Sequence, residues 1–393
     1  MLSFHPLKVA SAERIAQDAV CLALEIPPAL REHFDFEAGQ YVTVRRMIGG
    51  REERRTYSIV TAPGNSTLRL GVREQFGGRM SRELATQVRP GDMLEVGTPI
   101  GRFRTAVDSK RTRSYVAFAA GSGITPVLSL ATHILACEPH SRFTLIYGNR
   151  SMARTMFLED TLALKNRYIG RFSLYFVMSR EPQHTTLLNG RIDAAKVAEL
   201  ARQISDIAAA DEYFVCGPGR MVDEVRDAIK LLNSMAPIRL ERFAASAAQP
   251  NAEQPSHTGV AAAAPATGLA PPSGPAPPSG PAPPAGLAPP AAPVLPAPEV
   301  LSTVSVVMDG RRRTFQMAPT DVSVLEAAER AGLELPFSCR SGICATCRTR
   351  IVAGEAVMAH NIALESWELA AGFVLCCQAR PTTATLELSY DEK

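Results

Sequence analysis

Apolar positions recur at two different periods along the chain, and the change of period divides it. Up to about residue 108 they come in short runs separated by turn residues: 19–26, 41–46, 57–59 and 68–72, then 93–96 after the turn Arg89-Pro-Gly-Asp92. One helical stretch, 80–88, interrupts them. Short strands at close spacing with a single helix predict a small antiparallel β-barrel over 1–108. Beyond it, apolar runs at 115–120, 143–147, 172–177 and 213–216 alternate with helical stretches at 127–136, 156–165 and 221–232. Strands alternating with helices in this way predict an α/β domain with a parallel sheet over 109–243.

The pattern then stops. From 244 to 300 the composition collapses to Pro, Ala, Gly and Ser, and Pro-Pro-Ser-Gly-Pro-Ala repeats at 271 and 277. Such a segment cannot bury a core; it is expected to be an extended tether rather than a ligand for a proline-binding module, with ends roughly 40 Å apart as a flexible coil. Alternation resumes at 301–308 and 313–317 around Asp309-Gly310, a hairpin signal, and a helix over 324–331 ends at Gly332. That order predicts a β-grasp domain over 301–393, so the fold class is multi-domain: barrel, α/β layer and β-grasp module.

Composition narrows the function. The 393 residues carry a net charge of only +3 with 21% charged positions, both signs interspersed, which argues against nucleic acid or an anionic membrane as the partner. No apolar run is long enough to span a bilayer, and Met-Leu-Ser-Phe-His-Pro lacks the charged start of a signal peptide, so a cytoplasmic protein is expected. Cys21, Cys137, Cys216 and Cys376 are scattered, as in a reducing compartment.

The other four cysteines form a pattern. Cys339-Arg-Ser-Gly-Ile-Cys344-Ala-Thr-Cys347 followed by a distant Cys377 is the C-x4-C-x2-C…C spacing that supplies four thiolates to a [2Fe-2S] cluster. Small residues around Gly342 let the backbone lie close and aim amides at sulfur. Structural zinc usually takes two C-x2-C pairs, and only Cys344 and Cys347 form one. A disulfide framework would need an oxidising compartment. Cys376, adjacent to Cys377, is expected to be a spare.

Three further motifs bear on chemistry. Arg55-Thr-Tyr57-Ser58 starts a strand and Gly77-Gly78-Arg79-Met80-Ser81 opens the barrel's helix; a guanidinium plus free amides at a helix start suits a dinucleotide pyrophosphate. Strand 115–120 runs into Gly121-Ser-Gly123-Ile-Thr125-Pro126, a G-x-G-x-x-P turn entering a helix, where glycines allow close approach of a pyrophosphate. Cys216-Gly217-Pro218 ends the last strand at the same sheet edge, where open α/β sheets bind ligands, although Cys216 alone could be a small core residue.

In this order the motifs resemble the ferredoxin-NADP reductase superfamily with a plant-type ferredoxin domain fused at the C-terminus. The resemblance implies FAD held through Arg55, Gly78 and Ser81, Tyr57 packed on the isoalloxazine, Ser58 near its N5, Thr125 and Cys216 flanking a nicotinamide, and Phe243 covering the flavin. The stretches Phe4-His-Pro-Leu, 145–150, 190–193, 240–243 and 369–378 further resemble the reductase subunits of ring-1,2-phenylacetyl-CoA epoxidases, although the tether is longer and richer in proline than that family leads one to expect. The implied partner is then the di-iron oxygenase of such a multicomponent epoxidase, in phenylacetate catabolism. Met178-Ser179-Arg180-Glu181 follows a strand at the ligand edge, and Ser179 with Arg180 suits a 2′-phosphate, which predicts NADPH over NADH. Glu181-Pro-Gln-His184 has the spacing of a di-iron ligand pair but contains a proline and has no mate, so it is expected to be a turn; His133 and His360 are not expected to be ligands. Two rival readings are a reductase for another oxygenase, Rieske or di-iron, and a redox-sensing or docking protein.

Overall fold

The computed structural model describes residues 3–233, 235–243 and 301–392; the proline-rich tether predicted at 244–300 lies outside the described residues. The first module contains β1 (Phe4–Ala16), β2 (Ala19–Glu25), β3 (Tyr41–Ile48), β4 (Arg51–Ser58), β5 (Thr67–Arg73), α1 (Arg79–Thr86) and β6 (Met93–Gly97). All neighbours pair antiparallel in the order β4-β3-β6-β1-β2-β5, and Ile59, just past β4, bridges Leu70 of β5 to close the barrel.

Two strands differ from the sequence expectation. The alternation in β1 is broken by register shifts between Val9 and Ser11 and between Arg14 and Ala16, which hides a 13-residue strand. β4 begins at Arg51 rather than near residue 57, because its charged half is not solvated on both faces: Arg54 is buried while Arg55 is exposed. Side chains alternate across a strand, so the arginine-rich stretch serves two surfaces.

The second module contains β7 (Ser114–Ala120), α2 (Ile124–Cys137), β8 (Arg142–Asn149), α3 (Leu158–Arg167), β9 (Phe172–Met178), α4 (Ala194–Gln203), α5 (Ser205–Ala208), β10 (Glu212–Pro218), α6 (Gly219–Leu232) and β11 (Ile238–Phe243). Its sheet is fully parallel in the order β11-β10-β7-β8-β9. Side chains of α2 and α3 pack on one face and those of α4 and α6 on the other. The apolar core under α2 continues into the barrel through Ala19, Cys21, Val60 and Phe103, so the two modules share one interior. Gly71 of β5 is required there: a Cβ would lie 2.6 Å from the Phe157 ring and 2.7 Å from the Thr125 methyl.

The C-terminal module contains β12 (Ser302–Met308), β13 (Arg311–Met317), α7 (Val324–Arg330), β14 (Arg348–Ala353), β15 (Ala356–Met358), α8 (Ser366–Ala370), β16 (Phe373–Leu375), β17 (Ala379–Pro381) and β18 (Thr385–Ser389). Its sheet runs β13-β12-β18-β14-β16, with β12 and β18 parallel and α7 packed against it. Asp309 and Gly310 both adopt positive φ, as the two-residue hairpin requires. Among the described residues no helix is long and apolar enough to cross a membrane.

Phe214 of β10 stacks on Phe143 at 6.2 Å and meets Phe103 edge-on at 5.8 Å, tying barrel to sheet. Phe214→Ala is expected to lower stability to urea by about 3–5 kcal/mol, with near- and far-ultraviolet circular dichroism still changing together. Separate transitions would show that the core is not shared.

Candidate redox site

A cavity of about 990 Å³ opens where the barrel, the edge of the parallel sheet and the cysteine loop meet. That is at the upper end of the range for cofactor pockets. Arg55, Tyr57 and Ser58 of β4, Gly78 and Ser81, Thr125, Phe243, and Cys339 and Cys344 all line it. Residues from three modules, far apart in sequence, therefore share one wall.

On the barrel side, Gly78 caps α1, and a Cβ there would stand 2.5 Å from Ser81 Oγ. The Gln75 amide donates to that Oγ at 3.0 Å, which fixes a tight turn with the helix start open to the cavity. Arg55 ion-pairs with buried Glu53 at 3.1 Å, which keeps a cation at the mouth. An open helix start beside a positioned guanidinium is a fit cradle for a pyrophosphate.

On the sheet side, β10 and β11 run parallel with Cys216 opposite Glu241, and β3 and β4 place Tyr41 opposite Ser58. These pairings gather a cluster at the cavity wall, with Ser58 and Cys216 buried and Glu241 half-buried. Ser58 Oγ donates to Glu241 Oε2 at 3.4 Å, and Cys216 Sγ donates to the same oxygen at 3.7 Å. Burial pushes the Glu241 carboxyl up to about 7, against the opposing pull of hydrogen bonds from Cys216 and Ser58. Burial and the nearby Glu241 push the Cys216 thiol up as well, so it stays a neutral donor. Glu241 falls within the family-like stretch 240–243, but only the pairing of two distant strands brings it beside Cys216.

The G-x-G turn behaves differently from the sequence expectation at its second glycine. Gly121 has positive φ and faces the Arg73 guanidinium, whose Nη1 a Cβ would meet at 2.8 Å. A Cβ on Gly123 would instead overlap the Cys216 carbonyl, so that glycine serves contact between two backbones rather than approach to a pyrophosphate. Thr125 Oγ1 donates to the Ser122 carbonyl at 2.9 Å, and buried Pro126 continues the first turn of α2. Gly217 lies where a Cβ would touch Met221 Sδ at 3.0 Å, and Pro218 caps α6.

Ser179 and Arg180 lie beyond β9 and are not part of the cavity wall. Ser179 Oγ donates to the Asn149 carbonyl at 3.2 Å, and the exposed Arg180 donates its amide to the Arg150 carbonyl at 2.9 Å. Burial, with the charges of Arg154, Arg180 and Arg73, pushes the Arg150 guanidinium down. Neither Arg150 nor Arg180 has an ion-pair partner among the described residues. Glu181 accepts from the Met152 amide at 2.8 Å and His184 is exposed, as in a turn.

The cysteine loop is folded to receive a cluster. Arg340, Gly342 and Ala345 adopt positive φ, which turns successive amides inward. The amides of Ser341 and Ile343 point at Cys339 Sγ at 3.4 and 3.5 Å. The sulfurs stand in two neighbouring pairs, Cys339 with Cys344 and Cys347 with Cys377. The Cys344 thiol and the loop amides hold Cys339 well below the usual thiol range, and the Cys347 thiol lowers Cys377. Two pairs, each already biased to a thiolate, fit a core of two bridged irons. Cys376 points into the module's core instead, where burial pushes it up. Gln378 Nε2 donates to the Arg340 carbonyl at 2.9 Å, bracing the loop, and His360 is exposed.

Comparison with known proteins agrees with this geometry. Residues 6–105 match the oxidoreductase FAD-binding domain, residues 118–227 the oxidoreductase NAD-binding domain, and residues 306–382 the 2Fe-2S iron-sulfur cluster binding domain. The fold is that of phthalate dioxygenase reductase, described as a modular structure for electron transfer from pyridine nucleotides to [2Fe-2S], with TM-score 0.56 and 24% identity over 98% of both chains. The 3-ketosteroid-9-alpha-monooxygenase ferredoxin reductase component of Mycobacterium tuberculosis (strain CDC 1551 / Oshkosh) is 28% identical over 94% of this chain and 88% of that protein. The chain is thus an oxidoreductase homologous to oxygenase reductase components, with FAD-binding, NAD-binding and [2Fe-2S]-binding domains. Within that class it belongs to the same family as a subunit of the 1,2-phenylacetyl-CoA epoxidase of Escherichia coli (strain K12): the two are 35% identical over 100% of this chain and 99% of that one.

Glu241 gives a pH test. Its folded carboxyl binds a proton more tightly than the ordinary value of 4.5, so its contribution to stability is complete below that value and lost as pH rises through about 7. Glu241→Gln is expected to match wild type near pH 5 and to exceed it by about 3 kcal/mol near pH 8 in chemical denaturation. A difference independent of pH would contradict this.

Proposed function

We propose that this protein is the NADPH-dependent reductase of a ring-1,2-phenylacetyl-CoA epoxidase complex, supplying electrons to its di-iron oxygenase in phenylacetate catabolism. The observation that carries the reading is identity of 35% with a 1,2-phenylacetyl-CoA epoxidase subunit, running unbroken through all three modules. When bound, FAD accepts a hydride from the nicotinamide and the [2Fe-2S] cluster takes electrons from it one at a time. We assign the flavin module to 1–108, the nucleotide module to 109–243, the tether to 244–300 and the cluster module to 301–393.

Each residue then has a task. Arg55, Gly78 and Ser81 would hold the FAD phosphates, Tyr57 and Phe243 would enclose its ring, and Cys339, Cys344, Cys347 and Cys377 would ligate the irons. Buried Ser58 and Cys216 are neutral donors around one half-buried carboxyl, Glu241, able to exchange a proton near neutral pH. Gly121, Gly123, Thr125, Pro126, Gly217 and Pro218 shape the nicotinamide end. At the other end, Arg150 and Arg180 have no ion-pair partner among the described residues and adjoin Ser179 along the chain and through a backbone hydrogen bond, and such a group favours the extra phosphate of NADPH. All eight cysteines are free, in keeping with a cytoplasmic protein.

Two measurements test the proposal. NADPH should be preferred to NADH in kcat/KM for flavin reduction, and Arg180→Ala should cost about tenfold or more with NADPH and little with NADH. Equal efficiency with both nucleotides, or no loss in the variant, would refute the NADPH assignment. Mixed with the epoxidase oxygenase subunits, phenylacetyl-CoA and NADPH, the protein should support epoxide formation. Coupling instead to a 3-ketosteroid or glycine betaine monooxygenase would place it with those relatives.

A further inference from the structure

The arginine-rich half of β4 is only partly used by the cofactor cradle, and following its other face leads to the seat of the C-terminal module. Arg54 is buried, donates to Glu334 at 2.8 Å, and lies 4.4 Å from the Phe337 ring, two residues before Cys339. On the opposite flank Arg102 pairs with the buried Glu368, whose second partner, Arg348 at 2.7 Å, follows Cys347 directly. These two clamps fix where the module sits. Neither touches the cysteine loop itself.

Tyr41 does. It stands opposite Ser58 in the β3–β4 ladder, and its ring lines the cavity. Its hydroxyl donates to the carbonyl of Cys344 at 2.9 Å and lies 3.3 Å from Thr346 Oγ1. A Cβ on Gly101 would come within 3.2 Å of the ring, so that glycine leaves Tyr41 its place. One side chain therefore spans the flavin-side strand and the backbone of a cluster-ligating cysteine.

We propose that Tyr41 is the positioning residue for electron transfer from flavin to cluster: its hydroxyl pins the Cys344 carbonyl so that the cluster loop closes the flavin cavity. The proposal rests on the electron-transfer reading above and adds the group that sets the geometry of its second step. In that step one electron leaves the reduced flavin and one ferric iron becomes ferrous. No bond forms or breaks, and the Tyr41 hydroxyl keeps its hydrogen. Without the pin, the loop leaves the wall for part of the time and transfer waits for its return.

The test compares wild type with Tyr41→Phe, which keeps the ring and removes only the hydroxyl. Rapid mixing of the fully loaded chain with NADPH under anaerobic conditions follows flavin and cluster bleaching separately. Amide hydrogen exchange over 340–347 in the resting protein gives a second readout that needs no turnover. The ratio of cluster to flavin rates is expected to fall about fivefold, the population shift of one ordinary hydrogen bond, with faster exchange at 344–347. An unchanged ratio, or a loss shared equally by both steps with unchanged exchange, would overturn it. Should the wild-type cluster never bleach with NADPH, it is the electron-transfer reading that fails.

Discussion

Everything in this molecule depends on the seating of one short loop in the wall of a cavity built by two other modules. The cysteine loop has the fold to hold a cluster by itself, since its left-handed residues and inward amides belong to the C-terminal module alone. It lies in that wall because Tyr41 reaches it from the barrel side, while Arg54 and Arg102 seat the module that carries it. These contacts are polar or ionic. Unlike a continuous apolar core, such contacts hold by pairing, and because Arg54 and Glu368 are buried, removing the partner of either leaves an uncompensated charge.

The joint between barrel and parallel sheet is of the opposite kind. A single apolar interior runs from Cys21 and Phe103 to Phe143 and Phe214, and glycine at position 71 lets the two layers approach to contact. That rigidity has a chemical use. The set of Ser58, Cys216 and Glu241 takes one member from the barrel and two from the sheet, and its hydrogen bonds survive only if the layers do not slide. The architecture thus combines a fixed apolar junction between barrel and sheet with a polar junction between barrel and cysteine loop.

How much of this the sequence discloses depends on whether the determining contacts are local. The cluster cysteines, the Gly78–Ser81 turn and the G-x-G turn are written in consecutive residues, and the structure places each at a cavity, a helix start or a strand end. The alternation of β1 is hidden by its bulges, and the strand character of β4 by arginines whose burial comes from a module more than 200 residues away. Tyr41 carries no local signal, and the stretch 240–243 marks Glu241 without giving it a role. Each is an ordinary strand residue until pairing sets it beside Cys216 or the Cys344 carbonyl, and a pattern reading has no access to long-range register. Gly123 stands out in the sequence at the right position but for the wrong reason, because its close neighbour is protein backbone.

The central claim is that one chain holds a two-electron centre and a one-electron centre in contact through a shared wall. The most direct measurement is an anaerobic reductive titration of the iron-loaded, flavin-loaded protein, counting electrons taken up while absorbance reports each centre. The account predicts about three electrons per chain, two on the flavin and one on the irons. Uptake of only two, with the iron-sulfur absorbance untouched at the end point, would contradict it.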